Sequence, residues 1–214
     1  MALEPIAEIV SLYAEAHTTP DDPVLSDLCT YTNEYHPEPG MLSGQVQGRF
    51  LQMISSMIMP EYILEVGTMT GYASICLSKG LKDSGELHTI ELREKDALIA
   101  EMFFKRTTKA TQIFLHIGNA KEILDQLHRA WDLVFIDADK VSYIEYYEKI
   151  IPSVKKGGYI LADNVLFHGH VVEETLKGKN AKAIHAFNEY VRKDERVECV
   201  LLTIRDGLML IRKK

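Results

Sequence analysis

The ten residues Trp131 to Lys140, WDLVFIDADK, restrict the architecture more than any other stretch of the chain. Leu133 to Ile136 form an unbroken apolar run of Leu, Val, Phe and Ile, the composition of a central strand buried on both faces. Asp137, Asp139 and Lys140 follow at once. Charged residues at the carboxyl end of a parallel strand lie in the crevice where open α/β sheets bind ligands. About one βα unit later, Gly157 and Gly158 lead into Tyr159, Ile160, Leu161 and Ala162, and then into Asp163 and Asn164. Two adjacent strands are therefore expected to deliver Asp137, Asp163 and Asn164 to one place.

The rest of the pattern agrees with a doubly wound sheet. Apolar residues at helical spacing predict helices over 2–16, 24–31 and 41–57, with a proline-bearing loop from His36 to Gly40. From Tyr62 onward short apolar runs alternate with helical stretches. Strands are expected at 62–66, 87–90, 112–117, 133–136 and 159–162, and helices at 95–109, 119–128, 141–151 and 179–193. Residues 197–203 and 208–211 flank Arg205-Asp206-Gly207 and read as a hairpin. The fold class is thus α/β, five parallel strands ending in an antiparallel pair. With 214 residues and no linker composition, one domain over 1–214 is expected: helices over 1–58 that cover the site, then a Rossmann-like core over 62–214.

A net charge of −7, with lysines dispersed among acids, excludes a phosphate-backbone partner, so no nucleic acid is expected. Three widely spaced cysteines indicate neither a disulfide framework nor a CxxC metal site, which points to the cytoplasm. No apolar run reaches the ~18 residues of a membrane span, and the first residues lack the basic-then-apolar pattern of an export leader.

Glu65-Val66-Gly67 followed by Gly71 puts two glycines in the first βα turn, where backbone must approach a ligand closely. The spacing is GxxxG and not the GxGxxG of a dinucleotide cradle. Glu91, at the end of the second strand, fits an acid that accepts hydrogen bonds from ribose hydroxyls, or else a solvated surface glutamate. Asp137, Asp163 and Asn164 are hard oxygen donors of the kind Mg²⁺ or Ca²⁺ takes. A helix cap and an Asp-Asn turn would explain the same residues without a metal. Asp139 is the residue expected to cap the following helix, which leaves Asp137 free. His36, His168 and His170 are read as loop histidines and not as ligands of a soft metal.

Taken together, PGMLSG with QG (38–48), ILEVGTMTGYAS (63–74), HTIEL (88–92), FIDADKVSYIEYY (135–147) and GGYILADNVLFHG (157–169) resemble the cation-dependent class I O-methyltransferases, the family of caffeoyl-CoA and catechol O-methyltransferases. The resemblance covers about residues 36–212. It implies a seven-stranded mixed sheet whose last strand is antiparallel, with extra N-terminal helices. It also implies S-adenosylmethionine as cofactor, a divalent cation (Mg²⁺, or Mn²⁺ or Ca²⁺), and a homodimer. On this resemblance Glu65, Gly67 and Gly71 hold the methionine end, Glu91 the ribose, and Asn119 and Ala120 the segment beside the adenine. Met41 stands near the methyl group. Asp137, Asp163 and Asn164 become the metal ligands, Asp137 serving cofactor and catalysis as well, and Lys140 the base. Ala73 departs from the serine that relatives often carry for the methionine carboxylate.

The implied reaction is transfer of the sulfonium methyl to one oxygen of a catechol-like vicinal diol. For Lys140 to act as base, its pKa must be depressed from about 10.4 by burial and the nearby cation. A surface pair with Asp139 or Glu145 is the competing reading of that lysine. No basic N-terminal anchor for coenzyme A is visible, and acceptance of acyl-CoA esters stays open. Two alternatives stay open at this point, a nicotinamide-dependent oxidoreductase and a non-catalytic S-adenosylmethionine-binding protein. The DADK sequence disfavours amino-group methylation, which uses an Asn/Asp-Pro-Pro-aromatic motif.

Overall fold

A computed structural model describes residues 8–214 of the chain. Ile6 and the rest of 2–7, the start of the first expected helix, lie outside the described residues. The described chain forms two compact units, residues 8–120 and residues 121–214.

The first unit begins with α1 (Glu8–Ala16), α2 (Pro23–Tyr35) and α3 (Gly44–Ile58). The start of α2 is fixed by chemistry: the Asp22 carboxylate accepts the Val24 and Leu25 N–H groups at 3.1 and 3.0 Å, and Pro23 fills the first helical position. The helix expected from Met41 does not run continuously. Pro39–Met41 form a separate 3₁₀ turn, and Gly44 has φ +76, outside the helical range. The chain then alternates through β1 (Tyr62–Val66), α4 (Tyr72–Ser78), β2 (Glu86–Glu91), α5 (Glu94–Phe104) and β3 (Ile113–Ile117). Helix α5 stops five residues short of the expected end, Lys109, because Thr107 turns its hydroxyl back onto the Phe104 carbonyl at 2.9 Å. β1 pairs with β2 and β2 with β3, both in parallel. A side-chain link joins the second pair: His88 Nδ1 and His116 Nε2 lie 2.9 Å apart, and His88 Nε2 is 3.0 Å from Glu86.

The second unit holds α6 (Ala120–Leu124), most of which lies within it, then β4 (Trp131–Ile136), α7 (Tyr143–Ile150), β5 (Val154–Asp163), α8 (Lys179–Lys193), β6 (Val197–Leu202) and β7 (Leu208–Lys213). Every residue of β4 except Asp132 is buried, as a strand covered on both faces requires. β5 starts earlier than its apolar run suggests. Trp131 faces Val154 but Leu133 faces Tyr159, so a bulge is absorbed in β5 at Gly157, whose φ of +80 suits glycine. β7 is antiparallel to both β5 and β6 and lies between them, which leaves β6 parallel to β5.

The strand order is β3-β2-β1-β4-β5-β7-β6, a seven-stranded mixed sheet of the Rossmann-like class with its last strand antiparallel. Among the described residues no helix is long and apolar enough to cross a membrane.

Candidate functional site

In the first unit, residues of the cofactor reading gather at the carboxyl ends of β1 and β2. Gly67, just past β1, has φ +101 and donates its N–H to the Ile90 carbonyl at 3.0 Å. Gly71 has φ +94, and a Cβ there would come within 2.6 Å of the Phe104 ring, so glycine is required twice over. Between them the chain is shaped by Glu91, which is buried. Its Oε2 accepts the N–H groups of Thr68 at 3.1 Å and Met69 at 2.7 Å, and its Oε1 accepts that of Arg93 at 2.9 Å. The solvated-glutamate reading is thereby overturned. An ionised carboxylate can accept about four hydrogen bonds. Three backbone donors therefore leave capacity for a ribose hydroxyl.

Glu65 lies beneath this turn, fully buried. Its carboxylate accepts the hydroxyl of Ser74 in a short hydrogen bond and that of Thr89 at 2.6 Å, and Thr89 in turn meets the Thr68 hydroxyl at 2.5 Å. Glu65 is thus engaged by hydroxyls of its own scaffold, a hydrogen-bonded network that holds the turn's shape. Ala73 is buried beside Ser74, whose hydroxyl is committed to Glu65. The Gly118 N–H donates to the Glu91 carbonyl at 2.8 Å, which brings the following residues, exposed Asn119 and half-buried Ala120, beside the end of β2. Met41 ends the Pro39–Met41 turn and is half exposed. That turn is tied to the start of α5, since His36 pairs with buried Asp96 at 3.2 Å and Glu38 with Arg93 at 3.0 Å. His36 therefore has a structural partner, in keeping with its exclusion as a metal ligand, although it is buried and not an exposed loop residue.

In the second unit the parallel register decides the geometry. Ile136 pairs with Ala162, so the next residues, Asp137 and Asp163, leave adjacent strands side by side. Asn164 follows with φ +56, a left-handed conformation that Asn tolerates better than most residues. Asp163 is buried, and its Oδ1 accepts the Asn164 N–H at 2.8 Å. Asp139 stands before the 3₁₀ turn Lys140–Ser142 that leads into α7, but its carboxylate takes the Ser142 hydroxyl at 2.8 Å instead of a backbone N–H. The expected cap is therefore a side-chain cap bond only.

Lys140 is the residue whose surroundings differ most from expectation. Its Nζ donates to Asp137 Oδ1 at 2.8 Å and to the Tyr143 hydroxyl at 2.7 Å. The surface pair with Asp139 or Glu145 is not formed, and Glu145 pairs with Lys121 at 2.6 Å instead. Burial acts to lower the Lys140 pKa, but Tyr143 and Asp137 outweigh it and hold the ammonium above the ordinary lysine range. The depressed value that a resting base requires is therefore corrected: this lysine is protonated while Asp137 faces it. Tyr143, fully buried, passes its own hydroxyl on to the Asp163 carbonyl at 2.9 Å, and burial pushes its phenol upward. Sequence reading did not single out Tyr143. Its spacing of three from Lys140 on a helical start was the available signal.

The donor chemistry fits a hard cation. Asp137, Asp163 and Asn164 offer oxygen only, and the Lys140 ammonium already stands at Asp137 as a positive charge would. Among the described residues no group of three or more His, Cys, Asp or Glu is placed to hold a metal. A cation here would rest on two carboxylates and one amide, with water and substrate completing its shell. His168 and His170 contribute to no such group, and His170 is paired with Glu173 at 2.6 Å.

Comparison with known proteins supplies what geometry alone does not. The sequence profile of a family described as O-methyltransferase matches residues 15–214. A catechol O-methyltransferase of Niastella koreensis is 32% identical over 160 residues, spanning 73% of this chain and 72% of that relative. Caffeoyl-CoA O-methyltransferase 5 of Nicotiana tabacum is 30% identical over 190 residues, 83% of this chain and 79% of its own. The crystal structure of an O-methyltransferase from Bacillus cereus in complex with SAH superposes with a TM-score of 0.88 at 29% identity, covering 96% of this chain and 97% of that one.

Proposed function

The chain belongs to the O-methyltransferase family, and from that premise we propose that it is an S-adenosylmethionine-dependent, divalent-metal-dependent O-methyltransferase acting on a catechol-like vicinal diol. The nicotinamide oxidoreductase alternative falls with that membership. One observation carries the finer reading: the β4–β5 register sets Asp137 beside Asp163, with Lys140 on Asp137. The names of the catechol and caffeoyl-CoA relatives support a diol-bearing aromatic as the acceptor class. Intact candidate ligands and an intact candidate base argue against a non-catalytic binding protein.

In this reading Glu91 accepts a ribose hydroxyl with its remaining lone pair, and the Gly67–Gly71 turn brings backbone against the methionine end. Met41, Asn119 and Ala120 complete the cofactor's surroundings, with Asp137 shared between cofactor and cation. S-adenosylmethionine, when bound, supplies a methyl group made electrophilic by its sulfonium. Asp137, Asp163 and Asn164 would hold Mg²⁺, or Mn²⁺ or Ca²⁺, which when bound lowers the proton affinity of a diol oxygen. Lys140 takes the proton of the attacking hydroxyl at Nζ. That role requires the Asp137 charge to be engaged elsewhere, because an unopposed carboxylate keeps the ammonium protonated. Fixing both reactants in line can contribute about 7–11 kcal/mol to the rate.

The same proposal extends to assembly and place. Helix α1 exposes Ile9, Val10, Leu12 and Tyr13, an apolar face of the kind that a second copy covers, which supports a homodimer. We place the protein in the cytoplasm, with no nucleic-acid or membrane partner. The deciding experiment incubates the protein with labelled S-adenosylmethionine and a panel of catechols, with and without chelator. Methylation that stops in chelator and returns with Mg²⁺ is expected. Full catechol methylation in chelator would refute the metal site.

A further inference from the structure

Tyr143 opens α7 and is fully buried, its ring set edge-on against Phe187 at 5.3 Å and 90°. A phenylalanine would fill that space equally well, so the hydroxyl is the part that calls for an explanation. A buried hydroxyl is costly unless it is hydrogen-bonded. Here its oxygen accepts from Lys140 Nζ at 2.7 Å, and its single proton goes to the Asp163 carbonyl at 2.9 Å, with the Ile136 carbonyl next at 3.3 Å. One phenol thus touches the candidate base and the backbone at the ends of β4 and β5, from which the candidate ligands emerge.

Lysine has three donors. Asp137 and Tyr143 take two, and among the described residues no contact engages the third. The two anchors are not equivalent. In the methyltransferase reading Asp137 is committed to the cation during turnover, so the phenol becomes the anchor that remains for a long and otherwise mobile side chain. We propose that Tyr143 is a positioning residue for methyl transfer: its hydroxyl aims Lys140 Nζ at the acceptor and fastens that lysine to the Asp163 main chain. The inference rests on the proposed O-methyltransferase function and deepens it.

The test compares the wild type with Tyr143→Phe, Lys140→Ala and the double variant, at a temperature where all are folded. Tyr143→Phe should lower kcat about tenfold or more, the scale of one hydrogen bond to a charged group. Cofactor affinity should be unchanged and the acceptor KM nearly so. In the Lys140→Ala background the same change should cost nothing further, because a residue acting through the lysine has nothing left to act on. A readout independent of turnover is the ¹⁵N-detected lysine ammonium signal, assigned to Lys140 as the one missing in Lys140→Ala. It should be sharp and protected in the wild type and shifted and broadened in Tyr143→Phe, where Asp137 alone holds the ammonium. Undiminished kcat, losses that multiply in the double variant, or an ammonium signal unaltered by Tyr143→Phe would each overturn the positioning role in an active enzyme. A wild type that methylates no catechol while Tyr143→Phe still shifts and broadens the signal would overturn the parent function, and with it the link to methyl transfer.

Discussion

Replacing Glu91 with alanine tests the shape of the cofactor turn and its chemistry together. The carboxylate accepts three backbone N–H groups, from Thr68, Met69 and Arg93, at 2.7–3.1 Å in a buried position. Each bond to a charged group contributes about 1.5–3 kcal/mol, and each orphaned buried donor costs about 1–3 kcal/mol. The two figures describe the same loss and are not added. Water entering the vacated space would satisfy some of the donors, which lowers the total to about 3–5 kcal/mol. For a chain of this size each kcal/mol moves the melting temperature by about 2–4 °C, so a fall of about 6–20 °C is expected. Affinity for S-adenosylmethionine, measured by calorimetry well below the new transition, should also drop by at least about tenfold, because the turn loses its template and the ribose its acceptor. Glu91→Gln sharpens the result. An amide keeps one acceptor oxygen but presents an NH₂ group to a backbone donor, so it should fall between alanine and wild type. An alanine variant that melts within 2 °C of wild type, or that binds cofactor equally well, would show that these three hydrogen bonds do not shape the site.

Gly71→Ala should destabilise by about 2–4 kcal/mol, combining a left-handed backbone with a β-carbon pressed against Phe104; an unchanged urea midpoint would contradict this. Lys140→Ala and Lys140→Arg should both lower kcat strongly at neutral pH with cofactor affinity intact, since guanidinium cannot accept a proton, and near-normal turnover in either variant would remove Lys140 from the mechanism. Burial first, and His88 second, lower the pKa of His116 below its ordinary 6.5. The folded state therefore binds fewer protons than the unfolded one, so this stability is complete above about pH 6.5 and is lost as the pH falls through the lowered folded value. Thermal melts between pH 7.5 and 5 should fall more steeply for wild type than for His116→Gln, and parallel curves would count against the assignment.

Much of the fold was legible because buried parallel strands are written as apolar runs. Leu133–Ile136, Tyr62–Val66 and the Arg205-Asp206-Gly207 hairpin lie where pattern places them. The candidate site was legible to the extent that it follows strand ends: once β4 and β5 are parallel neighbours, Asp137 and Asp163 must emerge together. What stayed hidden depended on contacts between residues distant in sequence. Nothing local to Glu91 says that its carboxylate will gather the N–H groups of residues more than twenty positions earlier. Likewise the protonation of Lys140 is set by Tyr143 and Asp137 in three dimensions, and composition around the lysine cannot weigh burial against those partners. The bulge in β5 and the early stop of α5 come from backbone geometry at Gly157 and from the Thr107 hydroxyl, features that apolar periodicity does not register.

The position of β7 between β5 and β6 bears on the order in which the chain can assemble. β6 is made before β7 yet has its ladder only through β7, since each of its paired residues from Val197 to Leu202 faces a residue between Leu208 and Lys213. During synthesis β6 must therefore wait, uncovered, until the strand after it has left the ribosome. The seam is closed by β7, made after both of its neighbours, which slots in antiparallel beside Tyr159–Asp163. Asp163 itself pairs with Leu208 in that ladder, so the strand end bearing a candidate ligand acquires its final neighbour only at this step. Nascent chains stalled just before Leu208 should consequently leave β5 with an open edge, and protection of the Asp163 region from proteolysis should appear only once β7 emerges.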